Sequence, residues 1–292
     1  MKLLQNGYPK SGNYWLYKIL DSIYKQAGVD KKSFIKNHPI HQLARNWELS
    51  YPQQAEIDMI DVLYVGTFYR ISSIFRRKIT DFNEYVSQTS HVWSHSNYCE
   101  KSSEVFSHFD KVVYIIRDPR DVLVSSANFA FTPYMQTYYP TFYDNPATYL
   151  DMELEVLCNH WSNHVMEYLE RFPFDNIYFI FYENLLMDFD GELDNILRYL
   201  EIDLSDDQKL EVKESTKFKT MKADSPNHVN KANLYNWKFK LSAKQKQRVV
   251  EQIYPVLELL NYPIKDQEEK KPNLFKMRDK SNFEYAWQWA VS

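Results

Sequence analysis

Apolar residues gather in short continuous runs separated by longer stretches where they recur every three or four positions, a pattern that predicts strands alternating with helices. Residues Lys2 to Tyr8 form the first run, and Pro9-Lys10-Ser11-Gly12 closes it. From Tyr14 to Ala27, Leu16, Ile19, Leu20 and Ile23 share one helical face, so the chain opens as strand, tight loop and helix. Further runs at Val62–Phe68, Lys111–Ile116 and Asn176–Phe181 are rich in β-branched and aromatic side chains and predict strands buried on both faces. Helical periodicity occupies Pro119–Phe129, Asp151–Arg171, Glu192–Leu200 and Ala243–Leu260. This alternation predicts one α/β domain, residues 1–264, with a central parallel sheet flanked by helices. The charged run Asp266–Lys271 marks the end of the core, leaving 265–292 as a tail. In the tail Phe283, Tyr285, Trp287 and Trp289 stand at every second position, which fits a strand or extended segment docked on the body.

Composition narrows the function classes. With 44% hydrophobic and 25% charged residues the 292-residue chain is an ordinary globular one. Net charge is −4, with no concentrated basic run, so nucleic acid is not expected as a partner. No stretch of apolar residues is long enough for a membrane span, and a strand rather than an apolar signal core follows Met1, which predicts a cytoplasmic protein without a membrane partner. Cys99 and Cys158 lack CxxC spacing and read as reduced, buried thiols. His160 and His164 lie i, i+4 on a predicted helix without a third ligand in sight, so no metal is expected.

The loop around Lys10 is where the chemistry concentrates. A loop between a first strand and its helix presents the helix N-terminus, with unpaired N–H groups and the positive end of the dipole, to anions. A kinase-type phosphate loop needs Gly-x-x-x-x-Gly-Lys-[Ser/Thr], whereas Lys10 precedes Gly12 and no second glycine stands at that spacing. A dinucleotide fingerprint needs three glycines, and only Gly7 and Gly12 are present.

The segment Tyr8-Pro9-Lys10-Ser11-Gly12-Asn13-Tyr14-Trp15 resembles the 5′-phosphosulfate loop of sulfotransferases that use PAPS, 3′-phosphoadenosine 5′-phosphosulfate. Val113-Tyr114-Ile115-Ile116-Arg117-Asp118-Pro119-Arg120-Asp121-Val122-Leu123-Val124-Ser125 resembles the family's 3′-phosphate motif. Three shorter matches follow the family's order: Trp93-Ser94-His95, Phe181-Tyr182-Glu183, and Thr216-Lys217-Phe218 with Met221. The resemblance runs from about residue 2 to 262 and implies sulfuryl transfer from PAPS, with PAP as product and no metal. It implies Lys10, His95 and Ser125 as catalytic residues, His95 being the general base with His91 as its nearby competitor. Lys10 and the backbone N–H groups of Ser11, Gly12, Asn13 and Tyr14 would hold the phosphosulfate, and Arg117 and Ser125 the 3′-phosphate. Trp15 and Phe218 would sandwich adenine, with Tyr182, Thr216 and Met221 lining the pocket.

Some positions depart from the family pattern. Its late Arg-Lys-Gly is Asn230-Lys231-Ala232, which keeps one cation, and Lys217 replaces a usual serine and stands ready to compensate. Trp93 occupies the place of a second lysine found in many members, and Asn13-Tyr14 replace two threonines. The family's dimer motif is reduced to Lys238, Ser242, Ala243 and Gln247, which leaves oligomeric state open.

For the acceptor, Trp93, Phe129, Phe131, Tyr134 and Tyr138 offer aromatic faces to a small molecule. With Asp144, Asp151 and Glu153 nearby, they fit a hydroxyl or amine acceptor of the guanidinium natural-product type better than a simple phenol. A nucleotide kinase and a non-catalytic adenosine-bisphosphate binder are the competing readings.

Overall fold

The computed structural model describes residues 1–171, 176–224 and 234–291. Seven strands form one sheet: β1 Leu3–Gly7, β2 Met59–Leu63, β3 Gly66–Ile71, β4 Phe75–Lys78, β5 His91–Ser94, β6 Lys111–Ile116 and β7 Ile177–Phe181. Their order across the sheet is β4-β3-β2-β5-β1-β6-β7. Strands β2, β5, β1, β6 and β7 run parallel, while β3 and β4 are antiparallel additions at one edge. The helices used below are α1 Asn13–Gln26, α2 Pro119–Ala130, α3 Pro133–Tyr138, α4 Pro146–Glu170, α5 Phe218–Asp224, α6 Ala243–Leu259 and α7 Lys280–Val291.

Both faces of the central strands are covered, as their unbroken apolar runs require. Leu3, Val113 and Ile115 pack with Leu16, Ile19, Leu20 and Ile23 of α1 on one side. Leu4, Val112, Tyr114 and Ile116 pack with residues of α2 and α4 on the other, including Leu123, Leu154 and Trp161. Among the described residues no helix is long and apolar enough to cross a membrane.

Strands β4 and β5 are absent from the sequence expectation, and two expected elements take a different form. The single strand expected over Val62–Phe68 is a hairpin, β2 turning into β3 through the exposed Tyr64 and Val65, with Gly66 at φ +136 beyond the turn. An apolar run does not reveal where a chain reverses, and Tyr64 and Val65 add to the run while pointing into water. The tail is a helix rather than an extended segment. Phe283, Ala286, Trp287 and Ala290 are spaced i, i+3, i+4, i+7 and pack onto the body, while Tyr285 and Trp289 remain substantially exposed. Trp289 nevertheless donates its indole N–H to the Gln252 carbonyl of α6 at 2.8 Å.

Strand β1 lies between β5 and β6, and all three run in the same direction. Lys10 follows β1, His95 follows β5 and Arg117 follows β6, so parallel pairing alone delivers all three to one edge of the sheet, where α/β folds bind their ligands.

Candidate functional site

Strand β1 carries polar side chains at its centre. Gln5 donates to the Asn13 carbonyl at 2.7 Å, and Asn6 donates to the Ser96 carbonyl at 3.2 Å, so this strand ties down both the Lys10 loop and the loop bearing His95. Lys10 and Gly12 lie at φ +70 and +94, a conformation strained for lysine and natural for glycine. Gly12 has no room for a side chain, because a Cβ there would come within 2.4 Å of the Tyr182 ring. As the N-cap of α1, Gly12 supplies no side-chain acceptor, so no side chain caps the first-turn N–H groups. The Ser11 amide is different. Its N–H turns back to the Tyr8 carbonyl at 3.2 Å, which removes it from the donor set expected from the sequence.

Arg117 leaves the end of β6 and donates from Nη1 to the Lys10 carbonyl at 3.2 Å. Its guanidinium carbon sits 4.2 Å above the Tyr182 ring, and Asp121 lies 3.9 Å from Nη2. The buried Nε has no hydrogen-bond partner among the described residues. Lys10 Nζ lies 3.9 Å from the centre of the Phe129 ring, and burial together with the neighbouring Arg117 charge lowers its pKa to about 8. Two cations pressed together with an unpaired N–H between apolar rings await a multiply charged anion.

His95 is held by its own backbone surroundings. Nδ1 lies 2.6 Å from the Gly7 carbonyl, which can only accept, so Nδ1 carries the proton and Nε2 keeps its lone pair. The His95 carbonyl accepts from His164 Nε2 at 3.3 Å, and His164 Nδ1 accepts from the Tyr114 hydroxyl at 2.6 Å. Burial, and then the positive charge of Arg70, lowers the His95 pKa to about 3, which keeps the ring neutral. The competitor His91 is bonded to Gln5 at 3.2 Å and stacked on Tyr17, away from the cavity.

Lys10, Arg117 and His95 all open onto one cavity of about 750 Å³. Residues 2–271 match the sulfotransferase domain family. The chain belongs to that family. Among curated sulfotransferases, rat sulfotransferase 2A2 is 29% identical over 220 residues, and rat sulfotransferase 1E1 is 26% identical over 235. Each alignment takes in 75% of this chain, and the chain spans 65% of the length of either relative. Retinol dehydratase solved with retinol and PAP superposes with a TM-score of 0.59 at 18% identity, covering 90% of this chain and 83% of that one. Mouse sulfotransferase SULT7A1 complexed with PAP gives 0.56 at 18% identity, covering 99% and 89%. At that identity the likeness is one of fold.

Of the positions singled out in this sulfotransferase sequence, Lys10, Gly12, Asn13, Tyr14, Trp15, Trp93, His95, Arg117, Ser125, Phe129, Tyr134, Tyr182, Phe218 and Met221 line the cavity. Ser11 and Thr216 are buried behind it, Thr216 accepting the Trp15 indole N–H on its carbonyl at 3.0 Å. Phe131 turns from the cavity to meet Tyr149, and Tyr138 packs at a tilt against Tyr134 without itself lining the cavity. Trp15 and Phe218 do not flank a gap. Their ring centres are 4.7 Å apart and the rings touch, so a sandwich forms only once they part. Lys217 pairs with Glu214 on its own segment and does not reach the cavity, whereas Lys240 does. Asn230, Lys231 and Ala232 lie outside the described residues.

Asp151 accepts from Gln245, Glu153 from Tyr143, and neither they nor Asp144 line the cavity. His160 faces solvent and His164 the interior, and among the described residues no cluster of three or more His, Cys, Asp or Glu has metal-binding geometry. Sequence reasoning missed Arg70, Tyr51, Asn128 and Lys240, which also line the cavity. Arg70 was hidden because it sits in β3, just beyond the segment Val62–Phe68 that the sequence pattern reads as one strand.

Proposed function

We propose that the protein transfers a sulfuryl group from PAPS to a hydroxyl or amine nitrogen of a small-molecule acceptor by in-line displacement. The reading is carried by one observation: the loop after β1 and the end of β6 meet, Arg117 touching the Lys10 carbonyl, in the cavity that His95 lines. Lys10 and the N-terminus of α1 hold the 5′-phosphosulfate, while Arg117 and Ser125 hold the 3′-phosphate. Lys240 at the cavity wall supplies a further cation in place of the family arginine lost at Asn230. Adenine enters against Trp15 as Phe218 swings aside.

In the transfer, His95 Nε2 takes the acceptor proton as the acceptor oxygen or nitrogen bonds to sulfur. The bond from sulfur to the bridging phosphate oxygen breaks, and PAP leaves with that electron pair, its new charge met by Lys10. Mixing the protein with PAPS and an acceptor panel without added magnesium should give PAP and sulfated product in equal amounts. ATP turnover that requires magnesium would identify a nucleotide kinase instead. Tight PAP binding that His95→Ala leaves intact, with no acceptor turned over, would identify a binding protein.

The charges of Lys10 and Arg117 give two further expectations. Lys10 must be protonated to meet the donor, and its pKa of about 8 lies below that of an ordinary lysine, so kcat/KM for PAPS should fall as pH rises through about 8. Lys10→Arg should move that limb upward, and an unmoved limb would assign it to another group. Arg117→Ala should weaken PAP binding by roughly tenfold to a hundredfold, as expected for a lost charged hydrogen bond of ~1.5–3 kcal/mol, measured by calorimetry.

A further inference from the structure

The nucleotide reading uses Lys10, Arg117 and Lys240, and leaves one cation in the cavity wall without a task. That cation is Arg70, on β3 beyond His95. One prong is fixed, Nη1 donating to the Ser72 carbonyl at 3.0 Å, while the buried Nε lies 2.9 Å from an Asp61 carboxylate oxygen without making a hydrogen bond to it. Nη2 has no hydrogen-bond partner among the described residues. Asp61 does not cancel the local charge, because it also faces Arg76 at 3.7 Å, and two guanidinium groups share one carboxylate.

The position of Arg70 separates it from the donor. Its charge bears on His95 more strongly than that of Lys10 does, and it is absent from the charges that depress Lys10, where Arg117 dominates. Around it stand Tyr51, Tyr134, Met59 and Trp93, all lining the cavity, and the Ser72 hydroxyl is bonded to Tyr134. Among the lining residues the sole carboxylate is Asp121, which belongs to the Arg117 end and accepts the Trp237 amide. The acceptor end is thus a ring-lined chamber with a fixed positive group and no described acidic wall residue.

We infer that Arg70 binds an anionic group on the acceptor, so that the preferred acceptors are aromatic alcohols carrying a carboxylate. The inference rests on the sulfotransferase reading and gives the acceptor a charge opposite to the guanidinium type. One free prong and a pre-set guanidinium favour a carboxylate over a neutral amide of the same shape by charge-assisted hydrogen bonding.

Acceptor binding to the complex of the protein with PAP tests this without depending on turnover, because the Arg70 charge also bears on His95. The probes are 3-(4-hydroxyphenyl)propanoate and its primary amide, titrated by calorimetry into the whole protein saturated with PAP. The carboxylate should bind about tenfold tighter or more, the difference should shrink with added salt, and Arg70→Met should abolish it while PAP affinity is kept. Arg70→Lys should retain part of the preference, which guards against a folding artefact in the first variant. Equal binding of the two probes by the native protein, or a preference that survives Arg70→Met, overturns the inference and leaves the donor reading standing. Failure of PAP itself to bind overturns the donor reading and the inference with it.

Discussion

His95→Ala should slow sulfuryl transfer by about 10²–10⁴, the range spanned by positioned proton transfer, and leave PAP affinity unchanged. The expectation follows from how the ring is fixed. Its Nδ1 proton is committed to the Gly7 carbonyl, its own carbonyl is pinned by His164, and burial with Arg70 holds its pKa near 3. The base is therefore ready at every pH above that value, so the acid limb of kcat/KM should lie well below pH 5 and vanish in the variant. The same burial has a price in stability with a defined sign. A histidine whose folded pKa is about 3, against about 6.5 unfolded, stabilises the fold above pH 6.5 and loses that contribution as pH falls toward 3. His95→Ala should thus flatten the decline of stability between those pH values, as read by denaturant unfolding at several pH values. Unaltered turnover in His95→Ala would move the base to another group.

The sequence made the core of this site legible because three of its parts are ends of buried strands. Lys10 and Arg117 each follow an apolar run and His95 follows the short β5, which the apolar pattern did not reveal and only the resemblance of Trp93-Ser94-His95 pointed to; parallel pairing with β1 in the middle brings the three ends together. What stayed hidden depends on contacts across the chain. Ser11 has a donor that turns inward to Tyr8, and Trp15 and Phe218 touch each other; neither fact leaves a trace in residue order. Arg70 was obscured for a different reason. The exposed Tyr64 and Val65 lengthen an apolar run across a chain reversal, and an edge hairpin then reads as one central strand. The tail shows the same ambiguity, since positions 283 and 287 fit a period of two as well as a helical face. Only the burial of Ala286 and the packing of Ala290 distinguish them.

Arg120→Ala should destabilise the protein by about 3–5 kcal/mol, although Arg120 does not line the cavity. Arg120 and Asp118 are both fully buried and form a two-pronged pair, Nη2 to Oδ2 at 2.6 Å and Nε to Oδ1 at 2.8 Å. The guanidinium carbon lies 3.6 Å from the centre of the Trp237 ring. Asp118 also caps α2 through the Arg120 amide, and its own amide donates to Glu183 at 2.9 Å, so the pair sits at the junction of β6, α2 and the segment after β7. Truncating the arginine leaves an uncompensated carboxylate in a dry interior, which is the costly half of the exchange. Removing both charges together, as Asp118→Asn with Arg120→Met, should cost less than Arg120→Ala alone, because no orphan charge remains. Thermal melting distinguishes the cases, with the single variant lower by roughly 10 °C at ~2–4 °C per kcal/mol. The pair neighbours Arg117 and heads the helix that carries Ser125, so the destabilised variant should also lose PAP affinity even at temperatures where it remains folded. Native melting of Arg120→Ala would show that neither the ion pair with Asp118 nor the packing on Trp237 is needed to hold the Arg117 end of the cavity in place.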